Sequence, residues 1–133
     1  MFKQIDWQDM VLLWEAWPKV VAVWVFGSAQ AGEIRVGSDV DVAVLGERPF
    51  TLDERLQILG QLQTQLQFDD IDLIILNEAK VILRFEAVSG QLLFCRDRQQ
   101  MAAFVSLTAR EYEDEMAQWR MALEARNLVI SDR

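Results

Sequence analysis

VVAVWVFGSAQAGEIRVGSDVDVAVL, residues 20–45, is the stretch on which the reading of the chain turns. Its first seven residues, 20–26, are β-branched, aromatic or small and carry no charge, the composition of a strand buried on both faces. Gly27 punctuates its end. Residues 28–38 are rich in small side chains and read as a short helical turn from Ser28, then a loop through Gly32 and Gly37. Residues 39–45, DVDVAVL, read as a second strand. Side chains alternate along a strand, so Asp39 and Asp41 share a face, roughly 6–7 Å apart by the strand rise, and Val40, Val42 and Val44 take the other. Two carboxylates on an otherwise apolar strand are costly unless they are solvated, paired or bound to a cation.

Upstream, Trp7, Met10, Val11, Trp14 and Trp17 form an apolar stripe at helical spacing, which predicts a helix over 6–17 that Pro18 stops. Downstream, Pro49 and Thr51 introduce a helix. Thr51 and Glu54 have capping-box spacing, and Leu52, Leu56, Leu59 and Leu66 are expected on its apolar face. Residues 70–76, DIDLIIL, read as a third strand. Asn77 is placed as the cap of a helix running to about Ser89, with Gly90 as its stop, and 91–95 as a short fourth strand. From Arg98 to about Asn127 the pattern is helical again, with Met101, Phe104, Val105, Tyr112, Met116, Trp119 and Leu123 on the buried face. The expected architecture is one α/β domain over residues 1–133, a mixed sheet of about four strands flanked by helices.

If strand 70–76 pairs with strand 39–45, one of Asp70 and Asp72 comes to lie about 5 Å from the first two acids. Asp72, deeper in the strand, is the better candidate. A three-carboxylate cluster repels itself without a cation, and Mg²⁺ takes hard oxygen ligands of this kind. At the neighbouring strand end, Gly27 and Ser28 offer backbone N–H groups and a hydroxyl that can hold a phosphate oxygen. This is no Walker-type loop: the only lysines are Lys3, Lys19 and Lys80, and none follows a Gly-rich turn.

Composition narrows the chemistry further. Of the 133 residues 52% are hydrophobic and 26% charged, which argues against disorder. There is no histidine, so imidazole bases, Ser-His-Asp triads and His-ligated zinc are excluded, and acid–base or metal chemistry falls to Asp and Glu. Thirteen Lys and Arg face 21 acids, a net charge of −8 with no basic run, which disfavours direct nucleic-acid binding and suits a metal or a cationic partner. Arg35, ahead of the acids, reads as a solvated loop residue. The lone Cys95, in the apolar run 92–95, reads as a buried thiol. No apolar run approaches the ~18 residues of a membrane span. The first ten residues carry acids and lack the apolar stretch of a secretory signal. A reducing cytoplasm is the expected location.

Gly27-Ser28, ten residues, then Asp39-Val40-Asp41 resembles the signature of the DNA polymerase β-like nucleotidyltransferase superfamily, and residues 25–45 resemble its small minimal nucleotidyltransferase (MNT) branch. The later DIDLIIL stands where that family has its third acid. The resemblance covers about residues 20–76. It implies that Gly27 and Ser28 bind the terminal phosphates of ATP or a related NTP. It further implies that Asp39, Asp41 and Asp72 hold Mg²⁺, in two ions, and that Asp72 helps deprotonate the acceptor hydroxyl. Antibiotic nucleotidyltransferases carry a further helical domain, for which the sequence up to Arg133 leaves no room, so a large acceptor or a partner chain is expected. Stand-alone proteins similar to this are often antitoxins that transfer AMP onto a tyrosine of a HEPN-type ribonuclease toxin, which makes a hetero-oligomer with that toxin the first expectation. The alternatives are a binding-only antitoxin that masks its toxin and a small-molecule nucleotidyltransferase working with a helical partner subunit.

Overall fold

The computed structural model describes residues 2–27, 33–35 and 39–126. Strand β1 (Phe2–Gln4) leads through a 3₁₀ turn (Trp7–Met10) into α1 (Val11–Glu15). Then follow β2 (Val20–Phe26), β3 (Glu33–Arg35), β4 (Val40–Gly46), α2 (Leu52–Leu66), β5 (Ile71–Ile75), α3 (Val81–Val88), β6 (Gln91–Cys95) and α4 (Arg98–Ala125). The main sheet has the order β5-β4-β2-β6. The β4–β5 pair is parallel and the other two pairs are antiparallel, which is the expected four-stranded mixed sheet.

Charge-free strands belong at the centre of such a sheet because both their faces are covered. All seven residues of β2 are buried, and so is every residue of β4 except Asp41. On one face Val23, Val25, Val40, Val42 and Val44 pack under Met10, Trp14, Ile58 and Leu62 from α1, α2 and the turn before α1. On the other, Trp24, Ala43, Leu45 and Ile74 pack under Ala87, Phe104 and Val105 from α3 and α4. Asp41 breaks the apolar pattern on this second face.

Several expectations need correction. Strands β1 and β3 pair antiparallel, Phe2 opposite Arg35, where a loop was expected; three-residue strands are too short to show a period. The helix expected over 6–17 opens as a 3₁₀ turn, with the Asp6 carboxylate accepting from the Gln8 amide at 3.0 Å. The buried face of α2 is Ile58, Leu62 and Leu66, an i, i+4, i+8 series, while Leu52 and Leu56 are 71% and 58% exposed. Asn77 caps no helix. Its side chain donates to the Gly46 carbonyl at 2.8 Å and accepts from the Gly46 amide at 2.9 Å, tying the end of β5 to β4, and α3 starts only at Val81.

The capping box of α2 forms as expected: the Thr51 hydroxyl accepts from the Glu54 amide at 3.1 Å and the Glu54 carboxylate from the Thr51 amide at 2.8 Å. The same carboxylate takes the buried Lys19 ammonium at 2.7 Å, which joins α2 to the start of β2 and holds the Glu54 carboxyl down at about 2. Helix α4 spans 28 residues, about 42 Å at 1.5 Å per residue, and outruns the surface it covers. Met101, Phe104, Val105 and Thr108 face the core, whereas Trp119, expected in the buried face, is 63% exposed and Met121 is 67% exposed. Cys95, on the edge strand β6, is half-buried and free rather than fully buried. No described helix is long and apolar enough to cross a membrane.

Candidate active site

Parallel pairing of β4 with β5 sets the register of the acids. Asp41 lies directly beside Asp72, with Val40 beside Ile71 and Val42 beside Leu73. Neighbours at one register position point to the same face, so Asp41 and Asp72 both face α3 and α4. Asp39, just before β4, has the same parity as Asp41 and is exposed. Asp70 precedes β5 and contributes its backbone: its carbonyl accepts from the Val40 amide at 2.8 Å and locks the two strand starts together.

Gly27 closes the site from the end of β2, where Phe26 is the register partner of Asp41. Its φ of +74° is a left-handed conformation that glycine alone adopts at no steric cost. A Cβ there would sit 2.9 Å from Asp41 Oδ2, so any side chain would also push the carboxylate out of place. Ser28, expected beside it as a phosphate ligand, lies outside the described residues.

The charges gathered here bear on one another. The Asp41 carboxyl is raised above the usual carboxylate range, first by burial and then by the negative charges of Asp72, Asp39 and Glu86. Glu86 is a fourth acid that the sequence did not single out. It stands on α3 between apolar neighbours, and only the packing of α3 over β2 brings it to the acids. Asp41, Gly27 and Glu86 line a cleft of about 430 Å³ whose walls include Phe85 and Tyr112.

The donor set fits Mg²⁺. It is all oxygen, and the repulsion bearing on Asp41 is what a cation would relieve. Among the described residues no three acids converge closely enough to enclose an ion on their own. That spread suits Mg²⁺, which commonly takes one or two carboxylates and fills its remaining positions with water and substrate phosphate oxygens.

The class follows from the comparison of families. The family described as polymerase beta, nucleotidyltransferase, matches residues 12–99, and the chain belongs to it. It is a nucleotidyltransferase by that membership, and the match runs from α1 through the start of α4, taking in Gly27, the four acids and Phe85 but not Tyr112. No curated protein matches the chain in sequence. Among solved structures, a toxin–antitoxin complex with AMP-PNP is 25% identical at a TM-score of 0.72, covering 89% of this chain and 94% of that one. A MntA–HpeT toxin–antitoxin complex carrying two Asp-to-Glu replacements is 22% identical at 0.75, covering 91% and 98%. A tri-AMPylated HEPN toxin of Shewanella oneidensis in complex with its MNT antitoxin is 21% identical at 0.68, covering 90% and 94%. The fold is thus that of the minimal nucleotidyltransferases found with such toxins.

Proposed function

We propose that this chain is a Mg²⁺-dependent adenylyltransferase that moves AMP from ATP onto a tyrosine hydroxyl of a partner HEPN-type ribonuclease toxin and so neutralises it. The observation that carries the reading is the pairing of Asp41 with Asp72 in register, closed from the side by Gly27 in its left-handed conformation. Such a site can hold a phosphate chain against carboxylates, and a side chain at position 27 would displace the Asp41 carboxylate. The similar chains occur in complexes with AMP-PNP and with an AMP-modified toxin, which supports the same reading.

In this reading the Gly27 turn, with Ser28, receives the terminal phosphates. Asp39 and Asp41 would hold Mg²⁺ together with water and phosphate oxygens, and Asp72 stands beside Asp41. When bound, the metal supplies neutralisation of the carboxylates and of the charge that develops on the triphosphate. Asp72, beside Asp41 and open to solvent, takes the proton of the acceptor hydroxyl. The acceptor oxygen forms its bond to the α-phosphorus, and the bond from that phosphorus to the bridging oxygen breaks. Pyrophosphate leaves with the electron pair. Catalysis here is positioning plus charge neutralisation. The exposed Trp119 and Met121 on α4 suit a protein partner, and the −8 charge suits a basic one rather than nucleic acid. The same surface favours one second reading, a binding-only antitoxin that masks the toxin without nucleotide.

The test is to incubate the chain with Mg²⁺, ATP and the product of the adjacent gene, then weigh the partner by mass spectrometry. One or more AMP masses on tyrosine are expected. Asp72→Ala is expected to lower transfer more than it lowers nucleotide binding, because a base acts on the acceptor rather than on the triphosphate. A partner that is neutralised but unmodified, with or without ATP, supports masking instead. Label on RNA or on an aminoglycoside keeps the chemistry and overturns the acceptor.

A further inference from the structure

The cleft that holds Gly27 and Asp41 has a feature that phosphate and metal chemistry leave unexplained. One wall is a pair of aromatic rings, Phe85 from α3 and Tyr112 from α4, stacked with centroids 3.9 Å apart and planes within 5°. Both side chains are half-buried. The neighbouring residues of the same two helices fix the pair: the Arg84 guanidinium donates to the Glu111 carboxylate at 2.5 Å, and Arg84 also lies over the Phe104 ring. The rings are therefore held parallel before any ligand arrives. Tyr112 is the only tyrosine of the chain. Helix contacts in cores usually place aromatic rings edge-to-face or offset; a flat pair bordering an open cleft offers a surface on which a third planar ring can stack.

We propose that the Phe85–Tyr112 pair is the platform for the nucleobase of the donor nucleotide and gives the site a preference for purine over pyrimidine triphosphates. This rests on the nucleotidyl-transfer reading above and adds to it the position of the base. A cleft of about 430 Å³ lies within the ordinary range for sites that take a small molecule. The phosphate end is assigned to Gly27 and the acids, which leaves the aromatic wall for the other end of the ligand. Stacking on an aromatic face is tolerant of the pattern of donors and acceptors on the base, and a purine covers more of the platform than a pyrimidine. The platform therefore sorts by ring size and does not by itself separate adenine from guanine. Glu86, in the same cleft, is an acceptor with hydrogen-bonding capacity for ligand hydroxyls or amino groups.

The test uses the full chain with Mg²⁺ and two probes, AMP-PNP, which carries the base, and tripolyphosphate, which does not. Dissociation constants are measured by calorimetry for the wild type, Tyr112→Phe and Tyr112→Leu, the last keeping apolar bulk without a π face. Tyr112→Leu should weaken AMP-PNP by roughly tenfold or more, within what removal of one stacking contact usually produces, and leave tripolyphosphate within about twofold. Tyr112→Phe should bind both as the wild type does. In the wild type, the imido analogues of ATP and GTP should bind within a few-fold of each other, and both more tightly than those of CTP and UTP; this comparison needs no variant to fold. Equal weakening of both probes by Tyr112→Leu, or an indifference of the wild type to base size, overturns the platform. A wild type that binds neither probe overturns the nucleotide site itself, and the platform with it.

Discussion

Replacing Gly27 by alanine adds one methyl group at the junction of β2 and the acids, and two separate costs can be worked out for it. The first is conformational. Gly27 has φ of +74°, and holding an alanine in the left-handed region costs roughly 1–2 kcal/mol. For a domain of this size that corresponds to a fall in Tm of about 3–10 °C. The second is local. The new Cβ falls 2.9 Å from Asp41 Oδ2, against about 3.3–3.6 Å for a relaxed carbon–oxygen contact, so the carboxylate must move by about half an ångström. The displaced atom is the end of a side chain, which makes the effect on stability small. The effect on chemistry is not small, since misplacement of a reacting group by about 1 Å costs on the order of a hundredfold. Transfer by Gly27→Ala is therefore expected to drop by roughly ten- to a hundredfold at a temperature where both proteins are folded. Gly60→Ala is the counterpart. Nothing lies within 4 Å of its added Cβ, it sits inside α2, and it should gain roughly 0.5–1 kcal/mol with transfer unchanged. Urea denaturation gives the stabilities, and single-turnover transfer of labelled AMP gives the chemistry. A Gly27→Ala protein with wild-type stability and wild-type transfer refutes both halves of the reasoning. One that loses stability but keeps full transfer refutes the contact with Asp41 as a determinant of the chemistry.

Asp39→Asn combined with Asp41→Asn should abolish transfer and leave the fold intact. Because the folded Asp41 carboxyl is raised above 3.8, native Asp41 binds protons more readily than unfolded, so its ionisation opposes folding at neutral pH; without Mg²⁺ the double variant should be more stable than wild type at pH 7, with the gap closing as the pH falls towards 3.8, in urea titrations across that range. Glu54 has the opposite sign: its carboxyl is lowered to about 2, so Glu54→Gln should be less stable than wild type at pH 7, with the difference fading as the pH falls from 4.5 to about 2. Asn77→Ala removes both bonds to Gly46 and should cost roughly 1–3 kcal/mol by chemical denaturation, without entering the active site.

The centre of the fold was legible because burial on both faces leaves a plain mark: residues 20–26 and the valines of 40–44 admit no charge except Asp41, and that exception marks the site. The register that puts Asp72 rather than Asp70 beside Asp41 depends on how β5 slides along β4, and strand alternation alone leaves that open because both acids have the same parity. Glu86 and the ring pair Phe85–Tyr112 were out of reach, since they join the site only by packing α3 and α4 over the sheet. In the sequence Tyr112 is one more apolar residue at helical spacing. Leucine counts misled for α2, where Ile58 and Leu62 sit a turn apart on the side facing β4 and Leu52 and Leu56 point outward. Asn77 was misplaced because a side chain that reaches across to another strand leaves no local pattern.

Nucleotidyl transfer differs from other uses of ATP in which phosphorus reaches the acceptor, and that difference can be read directly. The chain is incubated with Mg²⁺, the proposed partner (the product of the adjacent gene) and ATP labelled at either the α- or the γ-phosphorus, and covalently bound label is counted on the partner. The account predicts that α-label stays on the partner, that γ-label leaves as pyrophosphate, and that Asp39→Asn with Asp41→Asn loses the α-label while remaining folded. Covalent γ-label, or full α-labelling by the double variant, would contradict it.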